Sequence, residues 1–371
     1  MNLEDSQKYQ GVSMVLEDID FGILQELADN PQTTDIVVTD TGHVWVDKGF
    51  GLQEYNPRIP FDDPMILREY AVWLCAQLGK RLDDSCPIAD ASSPVGVRVH
   101  ALIAPIVLSG AAISIRFPAL KRYCLTELSS RGMFPIELSR ILYLLVTQRA
   151  NILITGSTGS GKTTLMKSLL ASCDEKDRIV TVEETRELGS LSKDHVSLAT
   201  REANVEGAGS VGLSDLVKAT LRMRPDRIIL GECRGQEIAD LLRVFTCGHK
   251  GGMTTLHADK VQKVPARLMS LGLLAGLEPS ALCALAADAF DVVIHVERVN
   301  GTRVVKELGV LRSTDSGALE GVPILRLKNY VNSNDSNFSV DSNFSAQIEA
   351  TSAWKNFAVK WHLPLNTGLF L

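Results

Sequence analysis

Residues 151–165 read NILITGSTGSGKTTL, and no other stretch limits the fold as tightly. A short apolar strand runs into GxxxxGKT and then into a segment with helical apolar spacing, the setting in which a glycine-rich loop cradles phosphate. Gly156, Gly159 and Gly161 let the backbone wrap tightly, with some of these positions calling for positive φ. The cradle then consists of Gly156, Ser157, Thr158, Gly159, Ser160, Gly161, Lys162, Thr163 and Thr164, whose amides and helix N-terminus face the β-phosphate. Lys162 supplies a point charge between the β- and γ-phosphates, and the Thr163 hydroxyl is placed for magnesium.

The surrounding pattern supports this setting. PIELSRILYLLVTQR reads as a helix, NILIT (151–155) as a short buried strand, and RIVTVEE (178–184) and RIILGE (227–232) as later buried strands with helices between. Strand–helix–strand alternation implies a parallel sheet with crossover helices, an α/β fold. Acidic strands of nucleotide-hydrolysing enzymes usually end in an aspartate, but here that position is Gly231 and the acid is Glu232. A carboxylate at the end of a strand beside the phosphate loop can orient and deprotonate the attacking water, or touch magnesium through water. Glu183 and Glu184 end the preceding strand, and parallel strands deliver their ends to one sheet edge. Two more carboxylates thus reach the phosphate end and can supply what Gly231 lacks. GHKGGMTTLHA (248–258) leads His257 out of a further strand. With no second ligand at metal spacing, its expected role is sensing the γ-phosphate.

Ahead of this region the order is mixed. Glu17 to Asn30 reads as an amphipathic helix, 34–49 as two strands about a Thr-Gly turn, and 62–80 as a helix with an acidic start. Two more strands are expected at 97–105 and 110–118, giving a small α+β domain over 17–118 after an extension at 1–16. Residues 119–135 read as a linker, 136–312 as the nucleotide domain, and 313–371 as a Ser/Asn-rich, weakly ordered tail carrying DSNFS twice.

The formal net charge of −6 gives no general electrostatic reason to bind nucleic acid. No run reaches the roughly 18 uninterrupted apolar residues of a spanning helix, so membrane association is expected to be peripheral or through a partner. Seven scattered cysteines without a CxxC pair fit reduced cytosolic thiols rather than a zinc site.

Four blocks therefore stand in order: GSTGSGKTT, VEETREL, LRMRPDRIILGECRGQE and CGHKGGMTTLHAD. This arrangement resembles the type II/type IV secretion ATPase superfamily, in which they are the Walker A, Asp-box, Walker B and His-box motifs. In that family glycine commonly precedes the Walker B glutamate. TDIVVTDTGHVWVDKG, CPIADASSPVGVRVHALIAP, ISIRF and AADAFDVVIHVER look most like the tight-adherence (Flp) pilus assembly branch. The resemblance covers about residues 17–312. It implies a RecA-like P-loop domain preceded by a smaller α+β, PAS-like domain, with ATP and Mg²⁺ as ligands. It also implies a homo-hexamer at the cytoplasmic face of the inner membrane, pushing on a membrane platform protein to assemble a pilus or secrete protein. Type IV secretion or conjugation is the alternative, and a DNA-dependent RecA-like motor a more distant one. Arg98 and Arg116 match the family's γ-phosphate arginines, and Glu184 stands where relatives carry a magnesium-associated aspartate.

Overall fold

In a computed structural model the described residues are 19–49, 51–118, 122–201, 203, 208–299, 301–331 and 345–365. The backbone divides into two units, one of residues to 120 with 185–187, the other of 121–184 with 188–371.

In the first unit a 3-10 turn (Gly22–Leu24) leads into α1 (Gln25–Ala28). Then come β1 (Asp35–Val38), β2 (Val44–Asp47), β3 (Leu52–Tyr55), α2 (Pro64–Gln77), β4 (Ile88–Ser92), β5 (Arg98–Ile103) and β6 (Ala111–Arg116). The expected helix over 17–30 is thus shorter, because Gly22 sits at φ 49° and Asn30 precedes a proline that disfavours helix. α2 starts as its sequence dictates, with the Asp63 carboxylate accepting from the Met65 amide and Pro64 in the first turn. The antiparallel sheet has the order β3-β2-β1-β6-β5-β4. Its two edge strands were not legible in the sequence: LQEY is exposed, and IADAS buries only alanines. Alternation puts Val99, Ala101, Ile103, Ile113 and Ile115 into the core with Leu67 and Leu74 of α2. Arg98, His100 and Leu102, with Ala112, Ser114 and Arg116, lie on the opposite face.

The second unit holds α3 (Leu125–Ser130), α4 (Ile136–Thr147), β7 (Ile152–Thr155), α5 (Lys162–Leu170), β8 (Ile179–Glu183), β9 (His195–Ala199), α6 (Leu213–Thr220), β10 (Arg227–Leu230), α7 (Glu237–Thr246) and β11 (Met253–Leu256). α8 (Val264–Leu274), α9 (Pro279–Ala289), β12 (Val292–Val299), β13 (Thr302–Ser313), β14 (Leu319–Val331), β15 (Ser345–Ala350) and α10 (Trp354–Lys360) complete it. Among the described residues the sheet order is β15-β14-β13-β12-β7-β11-β10-β8-β9. From β12 to β9 neighbours are parallel; from β12 to β15 they are antiparallel. β7, β8, β10 and β11 are buried along their whole length, as expected of strands covered by helices on both faces.

Three expectations change. Residues 122–135 are not a free linker: Leu125, Leu128, Met133 and Phe134 are buried with α4 in the nucleotide-domain core. The strand that ends at Glu232 does not adjoin β7, because β11 lies between them. The segment beyond 312 is not a loose tail where it is described. β13 runs on to Ser313, β14 and β15 extend the sheet, and Trp354, Phe357, Trp361 and Leu363 are buried in the same core. Each aromatic so buried stabilises the domain by about 1.5–3 kcal/mol. The Ser/Asn-rich composition that prompted the expectation is concentrated over 332–344, outside the described residues, as are both DSNFS copies apart from Ser345.

Candidate functional site

The C-terminal ends of β7, β11, β10 and β8 bring the sequence-expected residues of the second unit together. The phosphate loop leaves β7 with Gly156 at φ 152°, and a Cβ there would lie 2.2 Å from the Val296 carbonyl. Gly161, at φ 98°, is the left-handed N-cap of α5. Both glycines are therefore required, one by close approach and one by conformation. The buried Ser160 hydroxyl has no hydrogen-bond partner among the described residues. The Lys162 ammonium lies in the concavity, donating to the Gly156 carbonyl at 2.9 Å and the Ser157 carbonyl at 2.8 Å. A buried cation held on loop carbonyls inside a glycine-shaped nest is suited to an anionic phosphate. Thr163, expected to reach magnesium, and Thr164 open α5.

Register places the carboxylates. The Cys233 amide donates to the Thr255 carbonyl at 2.9 Å, and the Thr255 hydroxyl to the Gly231 carbonyl at 2.9 Å. These bonds bind the chain after β10 to β11, so that Glu232 meets His257: Nε2 and Oε1 are 2.6 Å apart. His257 Nδ1 is 3.5 Å from Lys162 Nζ. Burial, then the Lys162 charge, hold His257 below the ordinary value against the pull of Glu232. His257 is thus neutral at neutral pH and sits between the loop lysine and the strand-end acid.

Arg234, which the sequence reading passed over, bridges two acids. It reaches Glu232 Oε2 at 2.7 Å and Glu184 Oε2 at 3.1 Å. Glu183 differs from its neighbours: it is buried, and its Oε1 accepts the Leu188 amide at 3.1 Å. Its side chain also explains Gly231. A Cβ at 231 would lie 3.1 Å from Glu183 Cγ, so the space an aspartate there would need is filled by the acid of the adjacent strand.

In the first unit Arg98 and Arg116 are direct cross-strand partners on the face away from α2. Asp35 stands opposite Arg116 on its other side, and Arg98 forms an ion pair with Glu187 at 2.6 Å. Arg227 is buried and paired with Asp177 at 2.6 Å. Arg303, also missed, donates from Nε to the Gly159 carbonyl at 3.0 Å. Nothing local in the sequence points to it, because the contact depends on how β13 folds back beside the loop. Among the described residues, no helix is long and apolar enough to cross a membrane, and no cluster of His, Cys, Asp and Glu could hold a metal ion unaided.

Residues 17–306 match the family model described as "Type II/IV secretion system protein". The chain belongs to this family. A putative conjugal transfer protein of Mycobacterium tuberculosis is 39% identical over 310 residues, 82% of this chain and 87% of that protein. Conjugal transfer protein TrbB of Rhizobium radiobacter is 31% identical over 286 residues, covering 76% and 84% respectively. Protein VirB11 of Agrobacterium fabrum is 30% identical over 299 residues, covering 72% and 86%. The fold is shared with two solved structures. The pilus retraction motor PilT with bound ADP superposes with TM-score 0.57 at 19% identity, covering 81% of this chain and 84% of that one. The Legionella pneumophila ATPase DotB superposes with TM-score 0.53 at 20% identity, covering 79% and 80%. The family assignment and the RecA-like P-loop domain expected from the motifs therefore hold.

Proposed function

We propose that this secretion-family ATPase binds ATP in the 156–164 loop and hydrolyses it to drive a transport machine of the cell envelope. The observation that carries this reading is the Lys162–His257–Glu232 row at the mouth of the loop. Loop amides and Lys162 would hold the phosphates, and Thr163 with Glu184 would hold magnesium. When bound, magnesium would neutralise negative charge on the phosphates. Glu232 orients the attacking water and accepts its proton. Neutral His257 keeps Glu232 aimed across the loop. Glu183, buried and bonded to the Leu188 amide, positions the adjoining chain rather than taking a proton. Arg98 and Arg116 supply guanidinium charge to the γ-phosphate.

The working form is a homo-hexamer at the cytoplasmic side of the membrane, pressing on a platform protein. Pilus assembly of the tight-adherence type is the reading from the motif blocks. Conjugation or type IV secretion is the second, favoured by the names of the relatives above. Measuring Mg²⁺-ATP turnover, nucleotide binding and light-scattering mass for wild type and Glu232→Gln tests the motor. Turnover in wild type, binding without turnover in the variant, and an ATP-favoured ring support it; equal activity of the two proteins would refute it. Scoring a deletion strain for surface pili and for DNA transfer separates the two cargo readings.

A further inference from the structure

Within the second unit, the groups that face hydrolysis lie on one flank of the phosphate loop. β11 and β10, which deliver His257 and Glu232, are on one side of β7; β12 and β13 are on the other. Two arginines of that second flank stand opposite each other. Arg298 and Arg303 are direct partners across the β12–β13 ladder, and both are exposed. Like charges directly opposite in a sheet repel. No carboxylate pairs with either of them among the described residues; Arg298 Nε reaches only the Gly301 carbonyl, at 3.3 Å. Arg303 is tied to the loop. Its Nε donates to Gly159, and its Cδ lies 3.0 Å from where a Cβ on Gly161 would stand. The stem therefore packs where the loop has no side chain, and the outer guanidinium nitrogens remain available beside the loop mouth.

The Gly159 carbonyl belongs to the peptide whose N–H is that of Ser160. A guanidinium bond to the carbonyl polarises that N–H, and the Ser160 amide itself donates to the Ser157 carbonyl over a long 3.3 Å. We infer that Arg303, with Arg298 beside it, is a nucleotide-binding residue acting on the part of the ligand common to ADP and ATP. It strengthens the loop amide and places positive charge on the flank opposite Glu232. The ligand chemistry is a nucleoside diphosphate, not the γ-phosphate that the hydrolytic flank addresses.

This inference rests on reading the 156–164 loop as a nucleotide site. The test uses the full chain and fluorescent N-methylanthraniloyl ADP and ATP, titrated against wild type, Arg303→Met, Arg303→Lys and Arg298→Met, with melting temperature as a folding control. Methionine keeps the stem over Gly161 and removes the charge. Arg303→Met is expected to raise Kd for ADP and ATP alike by about tenfold, the scale of a lost charge-assisted bond. Arg298→Met should do so by a smaller factor, and Arg303→Lys should recover part of the loss. Added salt should narrow the gap between wild type and variant. An ADP affinity within about twofold of wild type, or a loss confined to ATP, overturns the inference. If Arg303→Met fails to fold, Arg303→Lys and Arg298→Met decide: ADP affinity unchanged in both overturns it, and weakened binding in Arg298→Met upholds it. A wild type that binds neither nucleotide would instead sink the reading of the loop itself.

Discussion

β10 begins at Arg227, the chain leaving it carries Glu232, and each end holds a cluster of opposite charges. At the start, Arg227 and Asp177 are almost fully buried, with side chains 2% and 4% exposed. Arg227 also donates to the Val146 carbonyl at 3.0 Å, and Arg149 closes on the other Asp177 oxygen. At the far end Arg234 and Glu184 are about half exposed and Glu232 less so. The chemical groups are the same but the surroundings differ. In the dry cluster each charge depends on its partner, since a lone buried ion is expensive. In the wet cluster water can replace a partner, so the acids are free to change partners when a ligand arrives.

Separating the effects of the two clusters is the most direct way to break this contrast. Glu232→Gln should lower ATP turnover by about 10²–10⁴-fold and leave the urea midpoint in place. Asp177→Ala should destabilise the domain by about 3–5 kcal/mol, read by urea denaturation, because it strands Arg227. If Asp177→Ala were as stable as wild type, or Glu232→Gln melted the domain, the division into structural and working ends would be wrong.

A smaller effect follows from the histidines flanking the loop. His295 is buried, with Nδ1 3.1 Å from the Thr155 hydroxyl. Burial holds it below the ordinary 6.5 despite the opposing pull of Glu307, Glu297 and Asp259. The unfolded chain binds this proton more readily than the folded one. The contribution is therefore full above about pH 6.5 and declines as pH falls from there through the folded value. Stability measured from pH 8 to 5 should drop on the acid side, and His295→Gln should flatten that drop. Arg234→Gln marks the small end of the scale: less than about 1 kcal/mol in stability, a value that sharpens the contrast with Asp177→Ala.

The two clusters also show what the sequence made legible. Glu232, His257 and Lys162 each sit at the end of a strongly patterned strand or in a motif, and the structure brings them together. Asp177 and Arg227 are separated by 50 residues and become partners only because β8 and β10 are neighbours. Arg303 reaches the loop through a hairpin return whose position depends on tertiary packing. The same holds for the β11 strand that separates the loop from Glu232: local apolar runs give strands, while their order comes from crossovers that periodicity does not encode. β14, β15 and α10 were hidden for another reason. Composition averaged over a long Ser/Asn-rich stretch masks short apolar runs such as VPILRL and the Trp354, Phe357, Trp361 face.

The crowding of Gly231 by Glu183 has a consequence for how such chains diverge. The two positions form one steric unit across adjacent strands, so neither is free to drift alone. A lineage that placed an acid at 231 would first pass through a crowded pair of carboxylates, or through a shortened residue at 183 that leaves the Leu188 amide without its acceptor. Positions 183 and 231 are therefore expected to change together or stay fixed, which makes the pair a more durable mark of descent than either residue alone.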